Sequence, residues 1–188
     1  MKDIANAYGC KPDNIYNFFP KKEAILYEIL RSQMEGITSS IQHLKDDDST
    51  SPTEKLRFLI TQHATYTLRY TKSSKLLFDV GLDSLSPAKR RKIVEFRNTQ
   101  DRILCKIIRR GINSSDFREI DEKLAAYSIA SMIVWAIIWF SPKGRLPANE
   151  IIDFIFEFAL RGLKGEGAKY KRNVPKGWGK GGKRIASG

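Results

Sequence analysis

The sequence predicts an all-α fold, a small helix-turn-helix head ahead of a larger helical domain. Three observations lead there. Residues 1–30 read as a short helix, a glycine turn and a second short helix running into a longer one. From residue 53 to residue 163, apolar side chains return every three or four positions. A strand-like alternation occurs nowhere in the chain.

The elements follow in order. In the first helix Ile4, Ala5 and Tyr8 share one face, and Ala5 is small enough for a second helix to cross closely over it. Gly9 ends that helix, because glycine takes the left-handed conformation a tight turn needs. The next helix begins near Pro12, which suits a first helical position, and Ile15 falls where it reaches back to Ala5. Lys11, Asp13, Asn14 and Asn17 then point outward. Lysine and asparagine on the exposed N-terminal end of a short amphipathic helix suit a DNA major groove, since both reach base edges and lysine also meets phosphate. Lys21 to Lys45 follows as one long helix with Ile25, Ile29, Ile37, Ile41 and Leu44 apolar, and Asp46 to Ser51 breaks it. Thr53 to Tyr70 is a second periodic segment and Lys75 to Leu82 a short helix. Ser86 and Pro87 supply a cap and a first-turn proline for a helix to Arg110. After a turn at Asn113 to Asp116 come the last two helices, Glu119 to Phe140 and Pro147 to Leu163.

Composition narrows the function classes. A hydrophobic content of 41% over 188 residues is enough for a real core, and a net charge of +12 attracts polyanions, nucleic acid first among them. The charge is uneven: residues 165–188 hold seven Lys or Arg against Glu166 alone, and seven of the thirteen glycines, so this segment is expected to be a disordered basic tail. In it Tyr170 and Trp178 among lysines resemble single-strand nucleic-acid binding segments, and a plain solubilising extension fits as well. Cys10 and Cys105 form neither a disulfide framework nor a zinc pattern. His43 and His63 have no ligand set around them, so no metal or cofactor is expected. No nucleophile elbow, phosphate loop or metalloprotease motif occurs, which argues against catalysis. No apolar leader opens the chain, and the run Ile129 to Phe140 is short for a membrane span; a cytoplasmic location without membrane contact is expected.

The last two helices are too apolar for one small subunit to bury. A second copy would cover them, with Ile133, Ile137, Ile152, Phe156 and Ala159 as the expected interface. Elsewhere, Lys89-Arg90-Arg91-Lys92 opposes its own helix dipole, which points to an anionic contact as an alternative to a solvated face.

The string I-Y-N-F-F-P-K-K-E-A-I-L, preceded by I-A-x-x-x-G, resembles the DNA-binding domain of the TetR family of one-component bacterial regulators. The resemblance implies that Tyr16 and Lys22 hold phosphates while Lys11, Pro12, Asp13, Asn14 and Asn17 face the groove. It also implies a first helix of roughly a dozen residues ahead of Met1 that covers the apolar side of the head. At the other end, W-A-I-I-W-F-S-P-K-G-R-L, with D-F-R-E-I-D before it, is similar to a branch whose members often answer to fatty acyl-CoA or related acids, and whose two C-terminal helices pair in a four-helix dimer interface.

The whole is then expected to be a homodimeric transcriptional regulator, a repressor released from a palindromic double-stranded DNA operator by a small apolar or acyl effector. Residues 1–45 would form the head and its connecting helix, residues 46–164 a helical effector-binding and dimerisation domain, and residues 165–188 the tail. Tyr66, Phe78, Phe96, Trp135 and Trp139 are the expected pocket residues, with Arg97 and Arg102 placed to accept a carboxylate or the phosphates of a CoA. The alternative is a helical dimer that binds ligand, or nucleic acid through its tail, without operator recognition because the first helix is absent.

Overall fold

The computed structural model describes residues 2–71, 74–75 and 82–165, with the backbone alone at positions 3 and 12. Most of the short helix expected over 75–82, and residues 166–188 with Tyr170 and Trp178, lie outside the described residues. Within them run α1 (Lys2–Tyr8), α2 (Pro12–Phe18), α3 (Lys22–Ile41), α4 (Pro52–Arg69), α5 (Pro87–Asn113), α6 (Glu122–Trp139) and α7 (Ala148–Lys164). Short 3-10 turns, Gln42–Lys45 and Leu82–Ser84, follow α3 and precede α5, and no strand occurs among the described residues.

Local chemistry sets the ends of these helices. Gly9 has φ +65°, the left-handed conformation its turn requires, and Pro12 sits in the first turn of α2. Ser51 and Glu54 close a capping box on α4, while the Asp121 carboxylate accepts from the N–H groups of Lys123 (2.9 Å) and Leu124 (3.0 Å) at the start of α6. The helix expected to run from Lys21 to Lys45 instead leaves α geometry after Ile41. The physical reason is tertiary: Lys106 Nζ donates to the Lys45 carbonyl (2.7 Å), and Lys55 Nζ and an Arg110 nitrogen donate to that of Asp47, so cations from α4 and α5 hold the segment after α3.

Ser86 occupies the cap position of α5, yet its side chain makes no cap bond. Its backbone N–H donates to Glu23 Oε1 (2.8 Å), from the first turn of α3, and Lys89 Nζ lies 3.4 Å from the same carboxylate. Arg90 pairs with Asp83 at 2.6 Å. The anion that the Lys89–Lys92 run called for is thus supplied, in part, by the chain itself.

The main core joins α4, α5, α6 and α7 through side chains such as Leu56, Ile60, Ile107, Ile108, Ile133 and Phe156. A smaller cluster, Leu30, Met34, Leu85 and Ile93, lies between α3 and α5, nearer the head. Gly36 lets α3 approach α4: a Cβ there would stand 2.8 Å from the Tyr66 ring.

One expectation needs correction here. Ile133, Ile137, Ile152, Phe156 and Ala159 are buried in the subunit's own core and cannot form the outer face expected of them. The reason is that α4 and α5 already cover these faces of α6 and α7. Arg57 of α4 lies over the Phe156 ring (3.9 Å to its centroid) and bonds exposed Asp153 (3.1 Å) and Glu157 (3.2 Å), which holds the Phe156 face of α7 against α4. Left exposed are Leu124, Trp135, Ile138 and Trp139 on α6 and Phe154 and Phe158 on α7. The run Ile129 to Phe140 is short for a membrane span, as expected, while α6 taken whole meets the length and composition for one, and 33% of it is buried inside the subunit. Among smaller differences, Tyr8 is 82% exposed and does not share the inner face with Ala5.

Candidate functional site: a reading head and a cavity on one helix

The head is a helix-turn-helix in which Ala5, with no exposed surface, is the contact residue, as a close crossing of two short helices requires. The turn is fixed by its backbone: the Cys10 N–H reaches the Ala5 carbonyl at 3.0 Å. Lys11 precedes α2 in an extended conformation, and Lys11, Asp13, Asn14, Tyr16 and Asn17 are all exposed. Pro12 stands at the head of the same helix. Lys22 is exposed at the first position of α3, next to exposed Lys21. A cation there opposes the helix dipole, an arrangement relieved when a phosphate approaches.

The second feature is a cavity of about 270 Å³ between α3, α4, α5 and α6. Its apolar lining is Met34, Ile37, Val134 and Ile137. A polar wall of Gln33, His63, Thr67 and Ser74 faces it, all four buried. His63 is driven by burial down to about 4, so its imidazole is neutral near pH 7. Gln100 of α5 ties the wall together, donating to Thr38 Oγ1 (2.9 Å) and the Met34 carbonyl (3.3 Å) on α3. Towards solvent the cavity passes exposed Arg97, Ser131 and Tyr127. Burial raises the Asp101 carboxyl there, and the Arg97 charge partly offsets the rise. Asp101 and Tyr127 also border a shallow open groove carrying Arg102, Lys106, Arg109 and Lys123.

The expected pocket aromatics do not converge on this cavity. Tyr66 lines a separate open groove along α3 and α4, beside Ile29, Gly36 and Tyr70. Phe96 packs on the small cluster around Leu30 and Ile93. Trp135 and Trp139 are each 58% exposed on the outer face of α6, and Phe78 lies outside the described residues. Of the expected cations, Arg97 reaches the cavity and Arg102 the adjoining groove. The polar wall was missed altogether. A Gln, a His and a Ser on three separated segments carry no sequence signature of a shared site; the helical spacing of His63 with Leu59 and Ile60 was the one readable hint.

Among the described residues no group of His, Cys, Asp and Glu is arranged to hold a metal ion. Cys105, half-buried, has its thiol pushed up by burial and by Glu122 and Asp101, which disfavours the reactive thiolate.

Comparison with known proteins places this arrangement. Residues 49–163 match the family model for the tetracyclin repressor-like C-terminal domain. The chain is 25% identical over 165 residues to the HTH-type transcriptional repressor KstR2 of Mycolicibacterium smegmatis, covering 87% of this chain and 80% of that protein. It is 33% identical to a solved TetR family transcriptional regulator, PfmR from Thermus thermophilus, with a TM-score of 0.79 over 86% of this chain and 87% of that one. The fold is also that of AibR, solved in complex with isovaleryl coenzyme A and operator DNA, at 21% identity and a TM-score of 0.71 over 83% and 84% of the two chains.

Proposed function

The chain belongs to the TetR family of transcriptional regulators, and from that premise we propose that it is a homodimeric repressor whose hold on a near-palindromic operator is released by a small acyl or compact apolar acid. The observation that carries the reading is the double duty of α3. Lys22 opens that helix beside α2, and Gln33, Met34 and Ile37 on the same helix line the cavity. Eleven residues of helix separate Lys22 from Gln33, roughly 16 Å of rigid rod. A ligand that shifts α3 against α5 therefore moves the reading head without any change inside the head.

In the DNA-bound state α2 would lie in the major groove. Asn14 and Asn17 would read base edges, Lys11 would reach base or phosphate, and Tyr16 and Lys22 would hold phosphates. A second copy would cover the apolar surface of Trp135, Ile138, Trp139, Phe154 and Phe158, and a two-fold pair of heads matches two half-sites. The effector would set its apolar part in the cavity and its anionic end near Arg97 and the groove of Arg102 and Lys123. At about 270 Å³ the cavity is small for a ligand site, which favours a short or branched acyl group, or a single ring, over a long chain. A cytoplasmic location accords with this role.

The test is direct. An operator is selected from random duplex DNA by repeated binding to the protein, and release is then followed by fluorescence anisotropy against short acyl-CoAs, branched and aromatic acids. A palindromic consensus released by one chemical class supports the proposal. Failure to enrich any sequence above non-specific binding would remove it.

A further inference from the structure

The cavity wall contains one buried polar atom that the described protein does not satisfy. Gln33 is 7% exposed, and its Oε1 has no hydrogen-bond partner. Its orientation follows from its neighbours. The Ser74 hydroxyl has a single proton, which it donates to the Thr67 carbonyl at 3.0 Å. Towards Gln33 it can only accept, so the amide presents Nε2 to Ser74 Oγ. Turning the amide over would set its oxygen against an oxygen with no proton left to give. Oε1 is therefore held away from Ser74, in a residue that lines the cavity. The Gln100 amide nitrogen serves α3 through Thr38 and Met34, and the Thr38 hydroxyl donates to the Met34 carbonyl at 2.8 Å, so neither offers its proton to Oε1. Gln33 also borders the open groove beside Tyr66 and Tyr70, and its terminal torsion is broad, so Oε1 turns into the cavity as a ligand donor draws it there.

We propose that Gln33 determines specificity in this cavity, its Oε1 accepting a hydrogen bond from a neutral donor, a hydroxyl or an N–H, carried by the effector. This rests on the reading of the cavity as the effector site. A cationic donor is disfavoured at Gln33 because the buried wall of Gln33, His63, Thr67 and Ser74 carries no carboxylate, Asp101 standing towards the mouth. A ligand hydroxyl or N–H gives this already sealed oxygen a bond that a purely aliphatic chain cannot, so the effector is a hydroxylated or amide-bearing acyl group or ring. The bond would also be made on α3, the helix that bears Lys22.

Matched pairs differing by one hydroxyl test this by calorimetry: phenylpropionate with its para-hydroxy derivative, and hexanoate with hydroxyhexanoates of different position. In the native protein at least one hydroxylated member binds roughly tenfold or more tightly than its partner. In Gln33→Met, which keeps the length and removes the acceptor, that preference disappears and the two members of the pair bind alike. Ser74→Ala frees the amide to rotate, so it weakens the preference and serves where Gln33→Met does not fold. Equal binding of both members of every pair, or a preference that survives Gln33→Met, overturns the role of Gln33 and leaves the cavity as effector site. Absence of binding by every member, both as free acid and as CoA thioester, overturns the effector-site reading, and the role of Gln33 with it.

Discussion

Lys22 and the two asparagines of α2 differ in what they would touch, and so in what their loss should do. Lys22, at the exposed first position of α3, offers a charge to phosphate, whereas Asn14 and Asn17 offer amides to base edges. Lys22→Ala is expected to weaken binding to all sequences and to lower the salt dependence by about one counter-ion. Asn14→Ala and Asn17→Ala should chiefly change sequence preference. Anisotropy over a salt series, with operator and scrambled duplexes, separates the two effects. His63 makes a different prediction. Burial holds its folded-state value at about 4, below the unfolded value near 6.5, so the unfolded chain takes up the proton first on acidification. Stability from this group is complete above pH 6.5 and is lost as the pH falls towards 4, by about 2 kcal/mol between pH 7 and pH 5. Urea midpoints at the two pH values should therefore lie closer together in His63→Gln than in the native protein. The head residues were legible because exposure on a short helix follows from local spacing. His63 was legible only as an apolar-face histidine, since the cavity beside it belongs to no single segment.

At the scale of elements, the proposed dimer rests on α6 and α7. Their surplus of apolar residues was readable in the sequence, and so was the inference that one subunit cannot bury it. Which faces stay outside was not. α6 is apolar almost all round, so spacing names no preferred face, and in α7 the choice depends on Arg57, which comes from α4 about a hundred residues earlier. The exposed and buried faces make opposite predictions. Trp139→Asp and Phe158→Asp alter residues 58% and 61% exposed, so the subunit should fold normally and the dimer should dissociate. Phe156→Asp buries an unpaired carboxylate at a residue 2% exposed and should unfold the subunit, at a cost of several kcal/mol. Light scattering with circular dichroism distinguishes a folded monomer from an unfolded chain. A dimeric, folded Trp139→Asp, Phe158→Asp double variant would place the interface elsewhere.

For the whole molecule the question is how the cavity reaches the head, and two links are in place. One is α3 itself. The other is the Glu23 carboxylate, which binds the N-terminus of α5 through Ser86 and Lys89, while α5 carries Arg97, Gln100 and Asp101 to the cavity. Glu23→Ala should leave effector binding, read by calorimetry, nearly unchanged and reduce the operator release that the effector produces, read by anisotropy. The effector itself, near a hundred times its dissociation constant, should add about 2.7 kcal/mol to unfolding stability. By itself the sequence determined the helices, the Gly9 turn, the exposed side chains of α2 and the apolar surplus of the last two helices, because each depends on residues three or four positions apart or on total apolar content. Only the tertiary structure decided the cavity and its polar wall, the early end of α3 and the outward faces of α6 and α7. Those rest on contacts such as Gln33 with Ser74, 41 residues apart, and Gln100 with Thr38, 62 apart, whose partners are chosen by packing and leave no periodic trace in the chain.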